Sequence, residues 1–348
     1  MAKKHILFFT ALVASLLPLF ASAHEVYVLP SGEIIEATHE ASFNMVAVAM
    51  QQLPEFVLYF IICIITVAVV LWISTRPTLK RLAHPVITAA KKYAPFIARV
   101  TIGIAFLACA YYQAIFGPEL PLASIFGAFS PIVTAVLVVV GIMIILGFYA
   151  RLAALAALIL FCSVVAHRGI YALTYVNYLG EIIVLLILGA GHWSLDTLLA
   201  KKTTRAPIWF KKIRDYLAPR SFAILRVLFG VALIFASAYA KIIYNNLALL
   251  TVEQYHLDKI LGFEPHFLVV GAACVELLIG IFFIIGFELR FTALFFLFWL
   301  TLSLIFFGEA VWPHFILIGI PIAYLCYGYD RYSLGWHLSK DKKYEPVL

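Results

Sequence analysis

Lys241 and Glu276 both lie in strongly apolar stretches, where an ionised side chain is costly, so together they offer a membrane-buried ion pair. Either charge alone in hydrocarbon is destabilising, and pairing relieves both. Counting from the ends of the apolar runs puts Lys241 near one membrane surface and Glu276 near mid-membrane. At 1.5 Å per residue they stand roughly 12–15 Å apart in depth, a gap that two long side chains only just close. Glu181 is a second intramembrane acid, with Asn177 one helical turn away on the same face. Such residues act as proton relays, as the polar wall of a cofactor cleft, or as hydrogen-bonding glue between helices. No catalytic residue is assigned among them.

Histidine offers different chemistry. The opening stretch pairs a positive start (Lys3, Lys4, His5) with an apolar run from Ile6 to Phe20 and the small-residue step Ala21-Ser22-Ala23, the pattern of a cleaved signal peptide. Cleavage after Ala23 would make His24 the first residue, and its α-amine and imidazole would form a bidentate nitrogen chelate suited to Cu(II). His39 is the nearest further imidazole, and His167, His266 and His314 fall at helix ends on the same side. Met45 and Met50 could add soft ligands for Cu(I). No H-x3-H spacing ties these residues together, and outward histidines also serve as ordinary hydrogen-bonding groups. Cys63, Cys109, Cys162, Cys274 and Cys326 all fall in apolar runs without a C-x-x-C, which indicates neither a disulfide framework nor a zinc site.

The elements that must hold these residues are membrane helices. Of 348 residues 64% are hydrophobic and 12% charged, a balance that a soluble domain does not carry. Apolar runs near 54–74, 96–116, 131–148, 150–166, 175–191, 222–243, 265–286, 289–306 and 312–328 each approach the ~20 residues that a bilayer requires. With these spans, Lys and Arg after the signal gather on one side, and only Arg168, Lys241 and Lys259 fall on the other. The basic side is read as cytoplasmic, so the mature N-terminus is expected outside and the C-terminus inside the inner membrane. The net charge of +7 therefore anchors the chain to anionic lipid and does not point to nucleic acid. The opposite side is acidic, with residues such as Glu25, Glu33, Glu36 and Glu40, and would attract cations. The segment "WFKKIRDYL" (209–217) has the pattern of an interfacial helix.

An internal repeat organises the spans. A shift of 139 superposes Gly141 on Gly280, Gly147 on Gly286, Gly169 on Gly308, Gly180 on Gly319, Gly189 on Gly328 and Arg151 on Arg290. The preceding helices match at a shift of 127, with Arg99 on Arg226 and Gly103 on Gly230. The second copy is longer by the difference, placed in "NNLALLTVEQYHLDKILGF". Each copy has four spans, so the two run parallel. Lys241 and Glu276 belong to the second copy alone, and their counterparts are Ala114 and Leu137. The four helix-starting arginines read as membrane-surface anchors.

"LRVLFGVALIFASAYAKI" followed by "GAACVELLIGIFFIIGFELRFTAL" resembles the DoxX family, and "ARVTIGIAFLACAYY" with "VVVGIMIILGFYARLAAL" resembles it more weakly. The resemblance implies a four-helix membrane module, associated in some members with quinone-linked oxidation of sulfur compounds or with other redox systems. The expected fold is all-α, a polytopic helical membrane protein of two parallel-related four-helix repeats plus one N-terminal transmembrane helix after a cleaved signal peptide. Its segments are 1–23 (signal), 24–53 (extracytoplasmic), 54–95 (first span and loop), 96–200 (first repeat), 201–220 (interfacial linker), 221–335 (second repeat) and 336–348 (tail). Three functions fit: a membrane redox component holding a quinone and served by a soluble redox partner; a copper-handling protein using His24 with a metal carrier; and a non-catalytic scaffold in the lipid bilayer. No haem-ligand pair, nucleotide-binding glycine motif or reactive cysteine pair is present, so electrons would need a borrowed carrier.

Overall fold

The computed structural model describes residues 29, 31–199, 208–308, 310–339 and 344–348. The proposed signal segment and His24 lie outside them. The chain is an all-α, multi-pass membrane protein. Among the described residues, seven helical stretches are long and apolar enough to cross a bilayer, and Trp312–Tyr327 adds a shorter apolar one.

In chain order the main helices are α1 (Ser31–His39), α2 (Met45–Gln51), α3 (Leu53–Thr75), α4 (Pro77–Lys91), α5 (Ala94–Tyr112), α6 (Ser130–Leu146), α7 (Ala150–Arg168) and α8 (Val176–Leu188). There follow α9 (Ile208–Leu217), α10 (Ser221–Ala238), α11 (Asn245–Gln254), α12 (Pro265–Ile285), α13 (Leu289–Phe307) and α14 (Phe315–Tyr327). The long apolar stretch 150–188 is a hairpin: Arg151, at the start of α7, donates to the carbonyl of Leu186, near the end of α8, at 3.1 Å. That bond requires the two helices to run antiparallel. With only 13 residues, α8 covers about 20 Å, and the 3₁₀ segment Gly169–Tyr175 ahead of it supplies the remainder of a ~30 Å crossing.

Within each half, a helix pair meets through glycines. A Cβ on Gly103 would stand 3.0 Å from the Gly141 carbonyl, and one on Gly280 would stand 3.0 Å from the Gly230 carbonyl. Only glycine allows the backbones of α5 and α6, and of α10 and α12, to approach so closely. The same contacts then recur along the chain. Arg99 donates to Ala190 and Trp193 carbonyls, Arg226 to Phe283, Ile284 and Tyr332 carbonyls. Arg290 donates to the Leu325 carbonyl as Arg151 does to Leu186. Asp196 N–H bonds the Gly147 carbonyl at 2.9 Å, and Gly335 N–H bonds that of Gly286 at 3.0 Å.

These arginines depart from the anchor role expected of them. Arg99 and Arg226 are 1% and 2% exposed, and their donors cap carbonyls that helix and turn ends leave without intrahelical partners. The two halves meet along a seam of α8 on α10 and of α14 on α5, where Gly180 lies against Leu225 and Gly319 against Thr101.

Two elements differ from the sequence reading. The run 96–116 does not stay helical: α5 stops at Tyr112, Gln113 takes a left-handed φ of 54°, and the chain turns inward through Ile115 and Phe116. Gly117 and Pro118, which follow at once, favour that turn over further helix. The longer loop of the second half is itself helical, made of α11 and a turn at Leu257–Leu261. By contrast α3 is barely packed and leaves Leu58, Phe60, Ile65 and Trp72 exposed.

Candidate intramembrane ligand site

The structure brings Lys241 and Glu276 together. Nζ stands 3.0 Å from Oε2, and the side chains are 8% and 20% exposed. Two local features close the expected gap. At Tyr239–Ile243 α10 ends in a π-helical turn, whose extra residue rotates Lys241 inward. Above it, α11 and the Leu257–Leu261 turn fold over the helix end, so Lys241 is 6% exposed. Trp299 Nε1 donates to Glu276 Oε1 at 3.4 Å and fixes the second carboxylate oxygen.

The pair stands on the wall of a cavity of about 530 Å³. Its sides are largely apolar, contributed by α10, α12, α13 and α14, with Leu58, Tyr59 and Ile62 of α3 on the lipid side. Polar groups converge on it. Thr174, Tyr178 and Ser237 line it, and each has a buried hydroxyl oxygen with no hydrogen-bond partner among the described residues. Buried hydroxyls left in this state are uncommon and mark a place where a partner is expected. His314 also lines the cavity, 1% exposed, with Nδ1 at 3.0 Å from the Ala310 carbonyl. An apolar chamber of this size with a few placed polar groups has the make-up of a small-molecule site.

The other expected residues separate. Asn177 is 3% exposed and lines the cavity from the first half, its Oδ1 accepting from the Tyr178 N–H at 3.1 Å. Glu181, one turn further along α8, is fully buried and turns away from the cavity to the seam. There it accepts from the Thr101 hydroxyl at 3.5 Å, and its Oε2 has no partner among the described residues.

The described histidines of the expected set do not assemble. His39 and His167 are exposed at separate helix ends. His266 pairs with Glu264 at 2.5 Å, where Glu264 caps α12 by accepting from the Phe267 N–H. Burial pulls the Glu264 carboxyl upward, but its bonds from His266, the backbone and Gln52 outweigh that and hold it below the usual range. Among the described residues no three His, Cys, Asp or Glu side chains come together as a metal site.

Sequence reasoning missed Trp299, Ser237 and Thr174. Trp299 sits 23 residues from the acid it bonds, a separation that an apolar helix sequence does not reveal. Ser237 carried one available signal: it precedes Lys241 by one helical turn, on the same face. Comparison with family models, with curated proteins and with solved structures gives no match.

Proposed function

We propose that this protein is a DoxX-like membrane redox component that holds a quinone-type molecule in the cavity between its halves. The observation that carries this reading is the buried Lys241–Glu276 pair on the wall of an otherwise apolar chamber of about 530 Å³. A quinone head needs donors for two carbonyl oxygens and an apolar surround for its ring and tail. The ammonium, the cavity hydroxyls and the open lipid side at α3 supply both. Electrons reach the site from a soluble partner, because the chain carries no motif for a cofactor of its own. The protein sits in the inner membrane with its arginine-rich end cytoplasmic, following the distribution of positive charge.

The test is binding of decyl-benzoquinone to the detergent-purified full-length chain. Saturable binding at one equivalent is expected, weakened at least tenfold in a Lys241→Met/Glu276→Leu double variant. That variant replaces both charges by apolar groups, as Ala114 and Leu137 do in the first half, so it keeps the fold while removing the polar wall. Equal binding by both proteins, or none by either, defeats the proposal. The copper-handling alternative rests on His24, and the scaffold alternative on the absence of any bound ligand in that same titration.

A further inference from the structure

The first half shows what its counterpart's cavity lacks. After α5 the chain turns inward, and Phe116, at a left-handed φ of 65°, places a fully buried ring against Phe161, Tyr175 and Tyr178, with centroids 5.9, 5.6 and 4.3 Å away. Its N–H donates to Cys109 Sγ at 3.2 Å. A bulky residue held at positive φ is strained, and here the burial of a whole aromatic ring compensates.

Shifted by 139, those three ring neighbours are Leu300, His314 and Leu317, and all three line the cavity. The matching continues along the walls. Ala236, Ser237, Glu276 and Ile279 line the cavity, and their counterparts Cys109, Ala110, Leu137 and Val140 belong to the packed core of the first half. The second half has no counterpart of the Phe116 turn. Its longer loop runs outward as α11, whose Ala248, Thr251 and Val252 roof the cavity without filling it.

We infer that the cavity takes a ligand bearing a planar six-membered ring, seated against Leu300, His314 and Leu317 as the Phe116 ring is seated in the first half, with its polar substituents toward Ser237 and the Lys241–Glu276 pair. This rests on the reading of the cavity as a ligand site and adds where the ring lies and why there is one site per chain. Three features support it together: the shape left by one absent ring, the Ser237, Lys241 and Glu276 side chains where the first half has Ala110, Ala114 and Leu137, and cavity hydroxyls without hydrogen-bond partners among the described residues.

The test uses the full-length protein in detergent with two probes of equal tail length, decyl-benzoquinone and a saturated decyl amphiphile without a ring. Ala236→Phe and Ala248→Phe each place a ring in the space of the seat, one from the wall and one from the roof of the cavity. Each is expected to lower quinone affinity at least tenfold while leaving the melting temperature of the protein within a few degrees. Undiminished affinity in both variants overturns the ring seat but leaves the cavity a quinone site. Binding of the saturated amphiphile in preference to the quinone overturns the seat and replaces the quinone by a lipid tail. Binding of neither probe overturns the seat and the ligand reading alike. An independent arm opens the first half: Phe116→Ala, or Phe116→Leu should the smaller residue impair folding, is expected to add a second site for indole, raising its stoichiometry from one to two. An unchanged stoichiometry in both variants overturns the equivalence of the two seats.

Discussion

At the scale of single residues the balance is electrostatic. Removing one member of a buried pair leaves the other charged and unsolvated, so Lys241→Ala or Glu276→Ala is expected to destabilise by about 3–5 kcal/mol. The apolar double replacement should recover most of that loss, and a double-mutant cycle on melting temperature measures the coupling. The ends of the helices carry a second titratable case. Glu288, between α12 and α13, is 3% exposed. Burial pushes its carboxyl from 4.5 up to about 7, against the lowering effect of Ser74, Tyr329 and Lys80. The folded state therefore holds this proton more tightly than the unfolded chain. Its contribution is full below about pH 4.5 and is lost as the pH rises through about 7, a change of about 3 kcal/mol. Melting temperatures should fall between pH 5 and pH 8, and Glu288→Gln should flatten that slope; an equal slope in the variant assigns the pH dependence elsewhere. Lys241 with Glu276 was legible in the sequence because charge is rare in hydrocarbon and both residues vanish together from the other half. The Ser237 and Thr174 hydroxyls were not, because a serine or threonine in a membrane protein is as readily satisfied by nearby backbone, as Thr301 is by Leu297.

At the scale of helices, the packing is set by where a side chain cannot fit. A Cβ on Gly230 would meet the Gly280 carbonyl at 2.5 Å and Ile284 Cγ1 at 2.7 Å, so α10 and α12 must part to admit it. Gly230→Ala is accordingly expected to destabilise by about 1–3 kcal/mol. Gly271, in the same helix pair, has nothing within 4 Å of its would-be Cβ, and Gly271→Ala should be neutral or stabilise by up to about 1 kcal/mol. Thermal melts of the two variants side by side separate close approach from helix propensity; equal shifts would show that the glycine contact does not set the spacing. The glycine positions were legible because their spacing repeats. The arginine positions were equally visible, but their role was not. An arginine at a cytoplasmic helix start reads as an anchor by type, whereas capping depends on carbonyls 91 or 106 residues away, which no local pattern encodes. The inward turn at Phe116 escaped notice for a related reason: an apolar run continued through it, and apolar character alone does not tell a helix from a buried turn.

At the scale of the whole molecule, the two halves form one core through their shared seam, while α3 and α4 are attached to it by few contacts. Hydropathy gave the crossings, since a bilayer admits few alternatives to helices, but it could not show what fastens a peripheral helix. The fastening lies at the arginine-rich end. Residues 344–348 lie between α4 and the second half, where Glu345 bonds both Lys91 and Arg290, the latter at 3.0 Å, and Arg290 Nη1 donates to the Pro346 carbonyl at 2.7 Å. Ser74, at the end of α3, bonds the Val347 N–H and the Leu348 carbonyl at 3.4 Å, and Tyr344 packs edge-on to His84. Glu345 is 14% exposed, so this bridge is screened far less than a surface ion pair. Losing its charged hydrogen bonds should lower stability by about 1.5–3 kcal/mol. The change should also be local: in Glu345→Ala, amide exchange is expected to rise across 74–91 and 344–348 while α5 and α10, buried at the seam, stay protected. Since α3 lines the cavity through Leu58, Tyr59 and Ile62, the same variant should speed release of the decyl-benzoquinone probe, if that probe binds as proposed, more than it changes its binding at equilibrium. Unchanged exchange across 74–91 would mean that Lys91 holds α4 by itself, through its bond to the Tyr329 carbonyl and its place over the Tyr327 ring.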